Sequence, residues 1–557
     1  MIYTADFETT TDPNDCRVWA VALCEVGNTN NFWYDNSIDS LMDFCYRHEK
    51  NLTLYFHNLK FDGEFIIYWL FHHGYKFVKD RKDLCTKSFT TLISDRNVFY
   101  TIKICFLKTD KEEKYVEILD SLKILPMGVE QIAKTFGLKI SKLIIDYKEY
   151  RPVGHKLSKE EIAYIKNDVT IVAQAIEKLH DLELKKMTTG ANALFDYKKG
   201  ISVKKFNKLF PKPQYDYEVR QSYRGGFTYL NPKFKSVDVG DGIVLDVNSL
   251  YPSVMYYEKM PYGEGIRFEG EYKYDKVYDL YIQLFSCQFE LKKDKIPTIQ
   301  LKNDLSFNPI EYLESSEGEY ITLCMTNVDL KLFLEQYDVY DITYHSGWKF
   351  KSSDQLFRRY IDKWNNVKIQ ATIDGNKGLR QIAKLMLNSL YGKFALNPNV
   401  RSKYPYLGDD DIIHYTNGKE EKRNPIYIPV GTFITSWARN KTIRSAQSVY
   451  DRFIYADTDS LHLVGTHLPD NLEISETKLG AWKLENEFTR ARFLRQKSYI
   501  EEINGELKIT CAGMPKGCYQ YVNWDNFKIG NQFDGKLRIS HTQGGIVLLD
   551  SPHTLRE

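Results

Sequence analysis

The sequence predicts a multidomain chain of mixed α/β and α+β class, and three observations carry that expectation. At 557 residues it is too long for one ordinary domain and suits roughly three or four. Apolar residues make up 43%, enough for large cores and too many for bulk disorder. Strand-like runs alternate with helical patterns over roughly the first 185 residues, and a second such region begins near Tyr217.

The elements follow in order. Ile2–Glu8, Arg17–Cys24, Thr53–Phe56 and Val98–Phe106 read as strands, and the stretch around Lys159–His180 reads as a helix. The polar run Lys185–Ala193 reads as a loop at a domain boundary. Residues 258–355, rich in Tyr, Glu and Lys with short strand-like runs, read as an insertion. Residues 356–396 are strongly helical. Residues 397–424, punctuated by Pro398, Pro405, Gly408 and Gly418, read as an extended loop or hairpin. The C-terminal stretch of about 45 residues reads as short strands and turns.

Composition excludes some classes and leaves others open. The 76 basic and 74 acidic residues give a net charge of +2, which permits a local basic channel but does not require one. Forty tyrosines suit base stacking and amphipathic surfaces alike, so their number decides nothing. Nine cysteines without a CxxC pair disfavour zinc and point to a reduced intracellular setting. The N-terminus has no basic segment followed by a long apolar run, so neither a signal peptide nor a membrane span is expected.

Carboxylate patterns carry the chemistry. In Tyr455-Ala456-Asp457-Thr458-Asp459-Ser460 two acids sit one residue apart between apolar runs, as at an exposed hairpin tip. Like charges so placed repel unless a cation intervenes, and oxygen-only ligands favour a hard ion such as Mg²⁺. Asp246 ends the apolar run Gly242–Val247, with the Val247 carbonyl beside it. Asp246 and Asp457, with Asp459 nearby, are expected to form a two-metal site in which Asp457 is the stronger ligand of the hairpin pair. Ser249 and Leu250 offer backbone N–H groups to a phosphate, in a turn set by Pro252, and Tyr251 presents a flat ring to a sugar. On the amphipathic helix Leu379–Lys393, Arg380, Lys384, Asn388 and Tyr391 share a face that is either a triphosphate-and-base platform or a solvated basic face. Gly392 lets a backbone approach closely. Arg490–Tyr499 interleaves cations with aromatics, and Tyr223-Arg224-Gly225-Gly226 sets a flexible turn beside a cation; each is a weak phosphate-binding signal alone.

A second acidic set lies near the N-terminus. Asp6 and Glu8 share one face of a strand, Asp62 follows in a loop, and Tyr164 and Asp168 share a helix face four residues apart. These four carboxylates could hold two ions roughly 4 Å apart, with Tyr164 orienting an attacking water. The alternative for any one of them alone is an ordinary surface acid.

Taken in order, the strand DxE, the N-x-x-x-D loop and the helix Y-x-x-x-D resemble DEDD-type 3′–5′ exonucleases. The sequences D-x-x-S-L-Y-P, K-x-x-x-N-S-x-Y-G, Y-x-D-T-D-S and K-x-Y resemble the motifs of family B DNA polymerases. With the Tyr-Arg-Gly-Gly segment and the insertion, the chain resembles the protein-primed polymerases of phage phi-29 type. The resemblance implies an RNase H-like exonuclease domain (1–188) followed by a right-hand polymerase. Its palm would span 189–257 and 422–511, its fingers 356–395 and its thumb 512–557. The insertion 258–355 would contact a terminal protein, and a second insertion, 396–421, would serve strand displacement and processivity.

It implies metal binding by Asp246, Val247, Asp457, Asp6, Glu8, Asp62 and Asp168, and catalytic roles for Asp459, Lys497, Tyr499, Tyr164 and Lys142. Nucleotide binding would fall to Ser249, Leu250, Tyr251, Lys368, Arg380, Lys384, Asn388 and Tyr391. DNA contacts would come from His57, Asn58, Phe61, Phe65, Ser121 and Leu122 in the exonuclease. In the polymerase they would come from Tyr223, Arg224, Gly225, Gly226, Gly392, Thr435, Arg439 and Arg495. The implied cofactor is Mg²⁺, with Mn²⁺ as the alternative, two ions per site. The implied partners are primer-template DNA, deoxynucleoside triphosphates and a terminal protein, for a monomeric enzyme in the cytoplasm of an infected bacterium. Arg380 stands where the family has lysine, and Ala456 where cysteine is familiar. The alternatives are a dedicated nuclease, a non-catalytic DNA-binding scaffold, and a polymerase that starts only from nucleic-acid primers.

Overall fold

The computed structural model describes residues 1–300 and 312–556. Residues 301–311, within the expected insertion, and residue 557, at the end of the expected thumb, lie outside the described residues.

Eight strands form the N-terminal sheet, in the order Asn28–Asp35, Val18–Glu25, Ile2–Thr9, Leu52–Phe56, Glu113–Asp120, Phe99–Lys108, Ser88–Ile93 and Lys76–Phe77. The central three, Ile2–Thr9, Leu52–Phe56 and Glu113–Asp120, run parallel. Leu52–Phe56, the middle one, is covered on both faces and mostly apolar, whereas Glu113–Asp120 alternates buried and half-buried residues. The 23-residue helix Lys159–Asp181 starts in a complete capping box, with Ser158 and Glu161 bonding each other's backbone N–H groups. The run Lys185–Ala193 is not all loop: helix Thr189–Ile201 begins inside it, because the Thr188 hydroxyl caps the Ala191 N–H.

A five-stranded antiparallel sheet lies at the centre of the chain. Its order is Trp482–Phe488, Gly242–Val247, Ser460–Val464, Phe453–Asp457 and Thr228–Leu230. Behind it runs helix Ile428–Ser448, buried along most of its 21 residues. Pro252 does not end a turn but lies in the first turn of helix Leu250–Tyr257, where its missing N–H leaves no bond unmade. One continuous core joins Ile171 and Ile176 of the N-terminal unit to Leu245, Phe433, Leu390 and Trp482, so the two halves are packed together rather than strung on a linker.

The stretch 258–355 holds long strands beside the short pair Ile299–Gln300 and Tyr312–Leu313. Met260–Glu269, Tyr337–Ser353, Leu280–Leu291 and Ile321–Thr326 form a sheet in which repeated register shifts bend the long ribbons. The helical region is two helices, Arg358–Ile373 and Lys377–Phe394, separated at Gly375, whose φ of +67° suits glycine. Residues 399–422 are nested hairpins, pairing Lys403–Leu407 with Ile413–Asn417 and Asn399–Val400 with Glu421–Lys422. Near the C-terminus, Gln532–Thr542 and Gly545–Thr554 make one long hairpin where short strands were expected. A further sheet orders Asp238–Val239, Arg490–Arg495, Ser498–Ile503 and Glu506–Cys511.

Glu64, buried on helix Leu59–His72, ties three of these parts together. It accepts from the Tyr415 hydroxyl of the nested hairpin at 2.8 Å and meets His541 of the C-terminal hairpin at 3.2 Å. Burial pushes its carboxyl up to about 7 against the Tyr415 hydrogen bond. A raised carboxyl favours folding when protonated, so stability is lost as pH climbs from the unfolded value of about 4.3 towards 7. We therefore expect Glu64→Gln to stabilise the protein by roughly 1–3 kcal/mol at pH 8, with the gain shrinking towards zero near pH 5. Thermal melts at the two pH values check this, and a gain independent of pH would rule it out.

Candidate active sites

The N-terminal acidic cluster sits where parallel strand ends meet two helices. Asp6 and Glu8 project from Ile2–Thr9, Asp62 from the first turn of Leu59–His72, and Asp168 from the middle of Lys159–Asp181. Glu8, Asp62 and Asp168 are 6%, 4% and 3% exposed, so their charges cannot be dissipated in water. Burial, then the neighbouring Asp168, pushes Asp6 up to about 7. Burial followed by Asp6 raises both Glu8 and Asp62. Lys142 places its ammonium 2.6 Å from Asp168 Oδ2, and Asp168 Oδ1 is buried without a hydrogen-bond partner. Tyr164 hydrogen-bonds the Tyr147 hydroxyl, and Lys142 also lies 5.4 Å from the Tyr164 ring centre.

Around this cluster the expected strand-binding residues divide. Asn58 is exposed in a left-handed conformation (φ +76°), and Phe61 and Leu122 are partly exposed. His57 spends both ring nitrogens, on the Ser121 hydroxyl (2.9 Å) and the Met127 carbonyl (2.8 Å). Two expected contacts are corrected. Phe65 is 2% exposed and packs into the sheet core, and Ser121 is fully buried beneath His57. Neither side chain is available to a ligand as the protein stands.

The second cluster lies at the edge of the central sheet. Asp246 stands opposite Ser460 on one side and Lys483 on the other. The Val247 N–H donates to the Asp459 carbonyl at 2.8 Å, which fixes the hairpin tip against this strand. Burial pushes Asp246 up to about 7, helped by Asp459 and then Glu485 and opposed by Lys384 and Lys483. Asp459 is raised chiefly by burial.

Asp457 faces elsewhere. Its two oxygens hold the Lys497 ammonium at 2.8 and 2.9 Å, and it receives the Thr228 and Tyr455 hydroxyls at 3.3 Å. The electrostatic partner of Asp246 is thus Asp459, not the Asp457 favoured from the sequence. The alternation of a strand runs through Asp457, but the left-handed Thr458 (φ +61°) redirects the next carboxylate. The tip is also half-buried rather than exposed.

Facing Asp246 is a group of cations. Lys368 reaches the Ser249 hydroxyl at 3.3 Å, and its amine is lowered by burial and then by Arg380, Lys384 and Lys483. Mutually repelling ammonium and guanidinium groups that converge on one cleft await an anion. Arg380, Lys384 and Asn388 are exposed along one face of their helix. The Tyr251 and Tyr391 rings stack at 4.1 Å and 24° above it. Gly226 must be glycine, since a Cβ there would lie 2.7 Å from the Thr458 hydroxyl and 3.0 Å from that of Tyr251. Lys483 and Glu485 were missed in the sequence; they share one strand face, but only sheet register brings that face to Asp246.

Three further residues are not where a DNA contact would need them. Thr435 is 1% exposed and bonds its own helix through Gly431 and Thr432. Arg439 is 4% exposed and donates to the Arg224 and Gly225 carbonyls at 2.7 and 2.8 Å and to Asp329. It holds the Tyr-Arg-Gly-Gly turn in shape from behind. Arg224 turns its guanidinium back onto the Gln221 and Tyr223 carbonyls, and burial lowers it to about 10. Tyr499, expected to be catalytic, stacks on Phe493 at 4.9 Å, and its hydroxyl is raised chiefly by burial and further by Glu501, Asp457 and Glu485, which places it beside the acids of this cluster. Tyr223, Gly225, Gly392 and Arg495 keep partial or full exposure.

Among the described residues no three carboxylate, histidine or cysteine side chains converge on one point; in each cluster a lysine ammonium lies against one carboxylate. The donors nonetheless fit hard divalent cations. They are oxygen-only, they raise one another's protonation, and Asp168 keeps a buried oxygen unbonded.

Residues 44–477 match the family described as DNA polymerase type B, organellar and viral. The DNA polymerase of Bacillus phage Nf is 46% identical over 577 residues, covering 100% of this chain and 99% of that one. Among solved structures, phi29 DNA polymerase with primer-template DNA and incoming nucleotide superposes with a TM-score of 0.94 at 44% identity, covering all of both chains. The same polymerase with single-stranded DNA gives 0.93 at 44% identity, again over all of both chains.

Removing the Arg439 fork takes the guanidinium from the Arg224 and Gly225 carbonyls and leaves the Asp329 carboxylate with only the Ser436 and Thr326 hydroxyls. Arg439→Ala is expected to cost about 3 kcal/mol of stability, and Arg439→Lys most of that, because an ammonium cannot reproduce the fork. Thermal or denaturant unfolding measures it, and a near-neutral Arg439→Lys would show that the fork geometry is not needed.

Proposed function

The chain belongs to the type B DNA polymerases of organelles and viruses, in the phi29-like phage branch, and from that membership we propose how its two acidic clusters divide the work. It is a DNA-directed DNA polymerase that uses DNA and deoxynucleoside triphosphates and depends on divalent metal. No described helix is long and apolar enough to cross a membrane.

The observation that carries the proposal is the convergence of Asp246 and Asp459 with Lys368, Arg380, Lys384 and Lys483 beneath the stacked Tyr251 and Tyr391. Asp246, Asp459 and the Val247 carbonyl would hold two Mg²⁺ ions. Bound there, such ions supply charge neutralisation and Lewis acidity. The cations bind the triphosphate and orient its α-phosphorus towards a primer 3′-hydroxyl. Tyr251 and Tyr391 pack against the sugar and base, and the fixed Tyr251 ring leaves no room for a 2′-hydroxyl. Lys497, now paired to Asp457, is shared with the incoming anion.

Asp6, Glu8, Asp62 and Asp168 would hold the ions of a 3′–5′ exonuclease. There Lys142 offsets negative charge on the phosphate, and Tyr164 orients the attacking water with Tyr147. Asn58, which is exposed, and Phe61 and Leu122, which are partly so, are the contacts for a frayed 3′ end. Replication in an infected bacterium would start from the hydroxyl of a terminal protein bound at 258–355, with 396–421 serving strand displacement. Full-length likeness to a phi29-type enzyme supports this reading over one that uses nucleic-acid primers alone.

Primer extension and single-strand degradation test the division. Asp459→Asn is expected to lower the extension rate at least about a thousandfold while sparing degradation, since it removes a charge needed in the transition state. Asp6→Ala with Asp62→Ala should do the reverse. Undiminished extension by Asp459→Asn would sink the assignment of the polymerase ligands. For priming, a candidate terminal protein with one labelled deoxynucleotide should yield a covalent adduct; growth only from nucleic-acid primers would overturn that part.

A further inference from the structure

Beneath the catalytic hairpin lies a buried hydrogen-bonded pair that this chemistry does not use. His462 Nδ1 and Glu501 Oε1 are 2.8 Å apart, and both side chains are 2% exposed. His462 comes from Ser460–Val464 in the central sheet, directly opposite Tyr455. Glu501 comes from Ser498–Ile503 in the neighbouring four-stranded sheet. The pair is a buried polar link between the sheet that carries Asp457 and Asp459 and the sheet whose turn carries Lys497, beside the bonds that Lys497 itself makes to Tyr455 and Asp457.

The surroundings point the link at Lys497. The His462 ring lies 5.4 Å from Tyr455, 5.4 Å from Phe493 and 5.1 Å from Tyr499, so the imidazole is walled by aromatic rings. The Tyr455 hydroxyl accepts the Lys497 backbone N–H at 2.9 Å and donates to Asp457 at 3.3 Å. Lys497 is held in a left-handed conformation (φ +55°), costly for a non-glycine residue, and its carbonyl accepts from the Ala512 N–H at 2.7 Å. Such a conformation persists only when the neighbours over-determine it. Tyr455 is one of those neighbours, and His462 packs against its ring.

A staple between two sheets needs no charge, because well-packed apolar residues generally hold such a place as well or better. What a short, directional hydrogen bond adds is a fixed spacing between the strands. Resting on the reading that Lys497 meets the incoming nucleotide, we propose that the His462–Glu501 pair is a positioning device for Lys497. It sets the height of the Tyr455 ring, and through the Tyr455 hydroxyl it sets where the Lys497 ammonium stands over Asp457.

Steady-state primer extension with varied deoxynucleotide, run beside single-strand degradation, tests this. Contact with the triphosphate made equally in the ground and transition states appears in KM rather than kcat. Glu501→Leu and the paired change His462→Leu with Glu501→Leu are expected to raise KM about tenfold with kcat little changed, the scale seen when contacting residues are uncoupled. Degradation, carried by a distant site, should be unaltered and reports that the chain is folded. Glu501→Gln keeps a hydrogen-bond partner for His462 and should restore KM. In a Lys497→Ala background the Leu changes should add nothing.

An unchanged KM in the paired Leu variant, or losses that add to those of Lys497→Ala, would overturn the positioning role. If Glu501→Leu abolishes both activities by misfolding, the paired Leu variant and Glu501→Gln decide the matter on the same criteria. A normal KM for Lys497→Ala would instead overturn the nucleotide contact on which the proposal rests.

Discussion

Carboxylates crowded together at strand ends are the constraint around which this protein is arranged. At each of two places acids sit close enough to raise one another's protonation, deeply buried in the first and half-buried in the second. Such clusters are costly unless positive charge is brought to them. The chain supplies part of it, through Lys142 against Asp168 and Lys497 against Asp457. The remainder is the opening that divalent ions and anionic substrate fill in the proposed chemistry.

Much of the surrounding structure holds these charges in place. The parallel strands and the capped helix Lys159–Asp181 fix the first cluster, and antiparallel register fixes the second. Around the second, buried polar residues brace backbone rather than ligand. Arg439 holds the turn that carries Gly225, and Gly226 makes room for Thr458 and Tyr251. The core shared by both halves packs the supports of the two clusters together, as the proposed division between synthesis and trimming requires.

The Glu64 node shows the same economy at the periphery. Three pieces distant in sequence, a helix, a nested hairpin and the C-terminal hairpin, meet on one buried carboxylate. Tyr68 and His72 of that helix add hydrogen bonds to Asp411 of the same hairpin. Ile413, Ile546 and Val547 complete the contact by joining the apolar core of the N-terminal sheet.

The chain by itself determined the local elements and the chemical inventory. Period-two and period-3.6 patterns placed the strands and helices that carry the acids, such as Ile2–Thr9, Gly242–Val247 and Lys159–Asp181, and the acidic motifs named every carboxylate of both clusters except Glu485. It did not determine which neighbour each acid meets. Asp457 and Asp459 are two residues apart, and only the left-handed Thr458 and the sheet register turn Asp459 to Asp246 and Asp457 to Lys497. Nor could it separate exposed from buried members of a motif. Phe65, Ser121, Thr435 and Arg439 carry suitable side chains, yet packing from distant segments seals them inside. Residue type and spacing are local properties that a sequence records directly. Register, burial and pairing arise from contacts between segments apart in sequence, from His462 with Glu501 at 39 residues to Glu64 with His541 at 477, and only the assembled fold decides them.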